Sequence, residues 1–215
     1  MTIKPTTDAR TRKAQPEFQT ATGGGAAASQ SIWHSLQWWP SLAGAGFAVF
    51  VALDIFTGNE SGSDLAPIVA ASGLVYLAAA ALQKPSTAWP AFFVSVVIIT
   101  AAKMGWTSFD ATWILVAIAA LLVGYGLVTG RVRPIGGLPL QAVAMLAFGA
   151  VAATALYVNE IVGACLVATG LLAHAAWDVY HHRANKVVAR SLAEFCFVLD
   201  LMLALAIVIV SVAGY

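Results

Sequence analysis

The chain has 215 residues, 60% of them hydrophobic and only 10% charged, with a formal net charge of +1 at pH 7. Water-soluble domains carry about 25% charged residues, so this composition cannot clothe a globule in a solvated surface, and an ordinary soluble enzyme is excluded. A net charge near zero averages over two faces of a membrane and points to no partner.

The first 30 residues are polar and include "ATGGGAAASQ". They lack the apolar stretch of a signal peptide and read as a disordered, solvated tail. The expected division is a cytoplasmic tail over 1–32 and a transmembrane domain over 33–215. "SIWHSLQWWP" places Trp33, Trp38 and Trp39 at headgroup level, where indoles prefer to lie, with His34 in the same interfacial group.

A helix crosses a bilayer core with about 20 mostly apolar residues. Seven stretches qualify, over about 40–57, 65–83, 88–104, 112–129, 138–158, 161–180 and 191–213. Pro67, Pro90 and Pro139 fall near the first turns of the second, third and fifth, where a missing N–H is harmless. "TGNESGSD", "QKPST", "GWTSFDA" and "GRVRPIGG" carry the Gly, Pro and Ser of connections. Asn159 and Glu160 alone separate the fifth and sixth stretches, a turn that makes them antiparallel neighbours. The third is strongly apolar only over "AFFVSVVIITAA", and Lys103 ends it. Barrel strands would be about 10 residues long and alternate in polarity, whereas these runs are longer and apolar all round. The expected fold is an all-α membrane protein, a seven-transmembrane-helix bundle.

Orientation follows from the basic residues. With seven crossings, Lys4, Arg10, Arg12, Lys13, Lys84, Arg131, Arg133, Arg183, Lys186 and Arg190 all fall on one side, leaving Lys103 opposite with Glu60, Asp64, Asp110 and Glu160. Dropping any span breaks this partition. It implies an N-in, C-out protein of a cell membrane, the bacterial cytoplasmic membrane, with the lipid bilayer as its partner.

The densest polar pattern is "LLAHAAWDVYHHRANKVVARSLAEFCFVLD", residues 171–200. At 100° per residue, His174, Asp178 and His181 share one narrow stripe of the sixth helix, which continues to Gly170. Asp178 lies about 7 Å and His174 about 13 Å inward of Arg183, at 1.5 Å per residue, while His181 and His182 fall at the wet interface. On the seventh helix Cys196 and Asp200 share a face, and Asp200 lies roughly 15 Å from Arg190, near the midplane. A lone carboxylate at that depth costs at least ~2.5–3.5 kcal/mol, so protonation, a partner or a bound cation must offset it. His174, at comparable depth on the antiparallel neighbour, is the natural partner.

The constellation is therefore His174, Asp178 and Asp200, with His181 and Glu194 at its mouth. It fits a proton relay handling a small solute or ion. His174, Asp178 and His181 also suit a divalent transition metal such as zinc in an intramembrane hydrolase, with Asp200 as base or ligand. Interhelical hydrogen bonds that merely fix packing in a non-catalytic subunit or scaffold are the third reading. Glu194 stands four residues from Arg190 and can pair with it. Asp54 and Lys103 either pair across helices or snorkel to the outer interface. Tyr76 and Tyr125 need partners but specify no chemistry. "GAGFA", "GYG" and "FGAVAATA" supply the small residues through which membrane helices approach closely.

Cys165 and Cys196 both sit in apolar runs, so no disulfide framework is expected. The phosphate-binding, dinucleotide, nucleophile-elbow and HExxH motifs are absent, which removes nucleotide hydrolysis and ordinary serine or zincin hydrolysis. The short mixed tail does not suit nucleic acid. No lysine lies in the seventh span, so a retinal Schiff base has no anchor.

"AHAAWDVYHHRANKVVARSLAEFCFVLD" resembles the C-terminal part of small bacterial polytopic integral-membrane proteins of unknown function. The seven-helix membrane hydrolases that include alkaline ceramidases and the progestin and adipoQ receptors are similar in architecture only. Their zinc ligands come from several helices, whereas His174, Asp178 and His181 lie on one.

Overall fold

The computed structural model describes residues 38–134 and 136–213. The expected tail over 1–32, together with Trp33 and His34, lies outside the described residues.

Among the described residues there are seven helices long and apolar enough to cross a membrane, and no strand. They are α1 (Trp39–Phe56), α2 (Ala66–Leu82), α3 (Ala88–Lys103), α4 (Ala111–Val128), α5 (Leu138–Ala155), α6 (Glu160–Ala184) and α7 (Arg190–Ala213). Short 3₁₀ turns at Gly62–Leu65 and Pro85–Thr87 lead into α2 and α3. The all-α seven-helix bundle is thus the observed fold of a multi-pass membrane protein. Two boundaries differ from expectation. α5 stops at Ala155, and Asn159 is the N-cap of α6, its side chain accepting from Val162 N at 3.0 Å. Glu160 is accordingly the first helical residue of α6, where its charge favours the positive end of the helix dipole. α6 also runs past 180 to Ala184, ending where Asn185 turns left-handed at φ 50°.

α2 is the axis of the bundle. It packs against α3, α4, α5 and α6, and 83% of its span is buried, against 17–44% for the others. α7 lies between α1 and α6, so the first and last helices described are neighbours. An aromatic cluster of Trp39, Phe47, Trp89, Phe92 and Phe195 ties α1, α3 and α7 together.

Small residues mark the closest approaches, as lipid-embedded packing requires. A Cβ on Gly44 of α1 would stand 2.5 Å from the Phe195 carbonyl oxygen of α7. On α6, a Cβ on Gly170 would meet Val69 of α2 at 2.9 Å and Val151 of α5 at 3.2 Å. Gly46 and Gly124, equally prominent in the sequence, face nothing within 4 Å.

The two ends of the bundle differ in charge. Lys84, Arg131, Arg133, Arg183, Lys186 and Arg190 gather where α2, α4 and α6 end. At the other end stand Glu60, Asp64, Asp110 and Glu160. Lys103, ending α3 there, pairs with Glu60 and not with Asp54, which corrects the cross-helix pair, while its exposed ammonium reaches the outer end as a snorkelling side chain would. The reason is local: Glu60 sits on the α1–α2 connection beside the end of α3, whereas Asp54 is a turn deeper in α1.

Candidate functional site

The α6 stripe read from helical periodicity exists and is fully enclosed. Gly163, Gly170, His174, Asp178 and His181 are all buried along one face. The two glycines let α6 approach closely enough that the three polar side chains reach α2, α5 and α7.

His174, only 1% exposed, is the hub. Its Nδ1 lies 2.7 Å from Asp200 Oδ2 on α7 and 3.3 Å from Asp178 Oδ2 one turn along its own helix. The 2.7 Å contact is a charge-assisted hydrogen-bond distance, with the imidazole N–H donating to the carboxylate. Asp178 receives a second donor from α2, where the Tyr76 hydroxyl donates to Oδ1 at 2.6 Å. Tyr76 and Phe148 stand edge-on to the His174 ring, with centroids 5.3 and 5.2 Å away. One imidazole, two carboxylates and a phenol from three helices therefore form one network. Tyr76, set aside as uninformative on sequence grounds, belongs to its centre.

The network is not closed. His174 Nε2, Asp178 Oδ2 and Asp200 Oδ1 are buried without a hydrogen-bond partner among the described residues. Buried polar atoms are normally satisfied, and an unmatched charge in a low-dielectric interior is expensive. With both carboxylates ionised and the imidazole protonated, the cluster carries one net negative charge. One further proton, or one cation, makes it neutral.

His181 takes a different place from the one expected. The sequence puts it in water at the mouth of the cluster, yet it is 2% exposed. The extension of α6 to Ala184 keeps it inside the bundle. Its Nδ1 donates to the Trp177 carbonyl at 3.0 Å, and its Nε2 accepts from the Gln141 amide at 3.1 Å. Gln141 Oε1 in turn accepts from Trp177 Nε1 at 3.3 Å. Both ring nitrogens are thereby occupied in one neutral tautomer, and the ring meets the cluster at Tyr76, centroid to centroid at 4.9 Å. The metal set brought together is His174, Asp178 and Asp200, whose ligand atoms lie within 4.8 Å of one another. His181 is not among them.

Glu194 also differs. It accepts from the Ser41 hydroxyl of α1, and no ion pair with Arg190 forms among the described residues. It remains near the mouth: with Asp178, His182, Arg183 and Phe197 it lines a cleft of about 230 Å³ between α6 and α7. Asp178, itself 0% exposed, is thus the one residue of the cluster that also borders this cleft. Gln141, buried at 0% exposure, was missed in the sequence. The available signal was that it is the one amide side chain inside the apolar run "LPLQAVAMLAF".

Comparison of the chain with protein-family models, with curated proteins and with solved structures finds no match.

Proposed function

We propose that this is a proton-linked membrane protein that handles a small solute or ion, with Asp200, His174 and Asp178 as the proton-carrying groups. The observation that carries the reading is the His174 imidazole held between two buried carboxylates, one oxygen of each lacking a donor. A site of this kind changes its net charge by one unit for each proton it gains or loses. Inside a membrane such a change shifts the energy of the helices that enclose it. Supporting the path is the cleft that borders Asp178 and is also lined by Arg183 and His182. The positive-inside preference supports a cytoplasmic basic end, N-in and C-out. The resemblance of the 173–200 stretch to small bacterial membrane proteins supports a bacterial membrane.

The test is infrared difference spectroscopy on the full chain in lipid, stepped through pH, beside Asp200→Asn and Asp178→Asn. The expected result is a reversible carboxylic-acid carbonyl band in the wild type that is lost or displaced in each variant. Vesicles with an internal pH dye, screened against small ions and solutes, should show proton movement that Asp200→Asn abolishes. Wild-type proton exchange in a folded Asp200→Asn protein would falsify the proposal.

A second reading has its own support. The convergence of His174, Asp178 and Asp200 within 4.8 Å, with an oxygen of each carboxylate unclaimed, suits a cation in place of the extra proton, zinc-type metal included. As a catalytic metal it would make the protein an intramembrane hydrolase. Stoichiometric metal in the purified chain, lost in His174→Ala, favours this reading. No metal in either protein rejects it. If both variants only lower thermal stability and neither proton nor metal is bound, the cluster is packing alone.

A further inference from the structure

At the basic end, on the far side of His181 from the buried cluster, lies a cavity of about 480 Å³. Its rim holds Arg131, Arg133 and Lys186, and no acidic residue among those described lines it. Its inner walls are apolar, from Leu138, Leu140 and Val187.

Two of the cations are placed by helix-ending geometry. α4 closes with Gly130 at φ 69°, and Arg131 N bonds back to Gly126 O at 2.8 Å. That pair of features is a Schellman ending, which fixes the direction of the next residue. Arg131 then reaches across to the Ala81 carbonyl at the end of α2, at 2.9 Å, with its guanidinium 5.1 Å from the Tyr125 ring centroid. α6 ends the same way, through left-handed Asn185, and this delivers Lys186 to the rim. The neighbouring Val187 is held at φ 69°, a conformation a β-branched residue adopts only under constraint. Arg131 is therefore partly engaged, whereas Arg133 and Lys186 meet no carboxylate among the described residues. Basic residues at this end are ordinary in a membrane protein. Three that converge on one apolar-walled cavity are not accounted for by orientation alone.

We infer that this cavity binds a phosphate-type anion, with its apolar walls taking whatever apolar group that anion carries. Arg133 and Lys186 supply the charge, and Arg131 adds a guanidinium already fixed in direction. The source is either the headgroup of an anionic lipid or free phosphate. The inference stands apart from the proton reading, because none of its residues belongs to the His174 cluster.

The experiment uses the full chain in detergent, wild type beside the double variant Arg133→Gln/Lys186→Gln. Both positions are exposed, so the fold should survive, and the unliganded melting temperature checks this. Native mass spectrometry with phosphatidic acid and phosphatidylcholine reads retained lipid, and thermal melting with inorganic phosphate alone reads the free anion. The expected result is retention of phosphatidic acid that falls at least about tenfold in the variant, which removes two charge-assisted contacts each worth about that factor or more. Stabilisation by inorganic phosphate that disappears in the variant also upholds the site and assigns it to the free anion. Equal retention of the two lipids with no response to phosphate overturns the inference, as does any binding that persists unchanged in the double variant.

Discussion

Tyr76 is the residue whose role changes most between sequence and structure. In "GLVYLAAA" it is one aromatic in a hydrophobic run, and no local pattern marks its hydroxyl. Folded, it donates to Asp178 and edges the rings of both His174 and His181. Its partners lie 98 or more residues away in the chain, so only tertiary packing reveals it. Tyr76→Phe removes one donor and leaves an Asp178 oxygen buried without a partner, which should cost about 1–3 kcal/mol. Thermal melting in a defined detergent should show that loss. The infrared carboxyl signal should shift while persisting, because Asp178 and Asp200 both remain. The opposite lesson comes from His174 and Asp200. Each is an ionisable residue at membrane depth, and the cost of burying it alone makes their pairing legible from spacing. Spacing offers Arg190 to Glu194, and Asp54 or the outer interface to Lys103, whereas the partners found are Ser41 and Glu60, set by loop and helix placement that spacing does not encode.

At the scale of the element, hydropathy and punctuation were sufficient for existence and weaker for boundaries. All seven helices were readable, because a bilayer demands about 20 apolar residues whatever the tertiary structure. The end of α6 was not, since its last turn, "YHHRA", is polar yet helical and closes only at Asn185. That turn decides whether His181 is wet or buried. Glycines show the same division: "GAGFA" announces close packing but not which glycine does it. Gly44 faces the Phe195 carbonyl, a backbone atom that cannot swing aside, whereas Gly46 faces open space. Gly44→Ala should therefore part α1 from α7 and destabilise by about 1–3 kcal/mol. Gly46→Ala should be neutral or slightly stabilising, as alanine is the better helix former. Comparing the two melting temperatures checks both, and equal effects would contradict the packing described.

At the scale of the whole molecule, charge asymmetry between the two ends is the feature most directly open to experiment. A single cysteine at Asn59, on the exposed α1–α2 connection, should react with a membrane-impermeant thiol reagent added to intact cells. One at Ser86, on the exposed α2–α3 connection, should react only after permeabilisation, in each case with Cys165 and Cys196 replaced. The reverse pattern would invert the orientation and the side from which the Asp178 cleft is supplied. The position of α7 between α1 and α6 carries a further consequence, for biogenesis. A chain emerging from the ribosome lays down α1 through α6 first, and until Asp200 arrives the His174–Asp178 pair has lost its partner carboxylate and its cover. α1 likewise waits, its Gly44 notch vacant, for a helix synthesised more than a hundred residues later. Assembly of this bundle thus waits on α7, and a nascent chain stalled before α7 displays a polar wound within the bilayer.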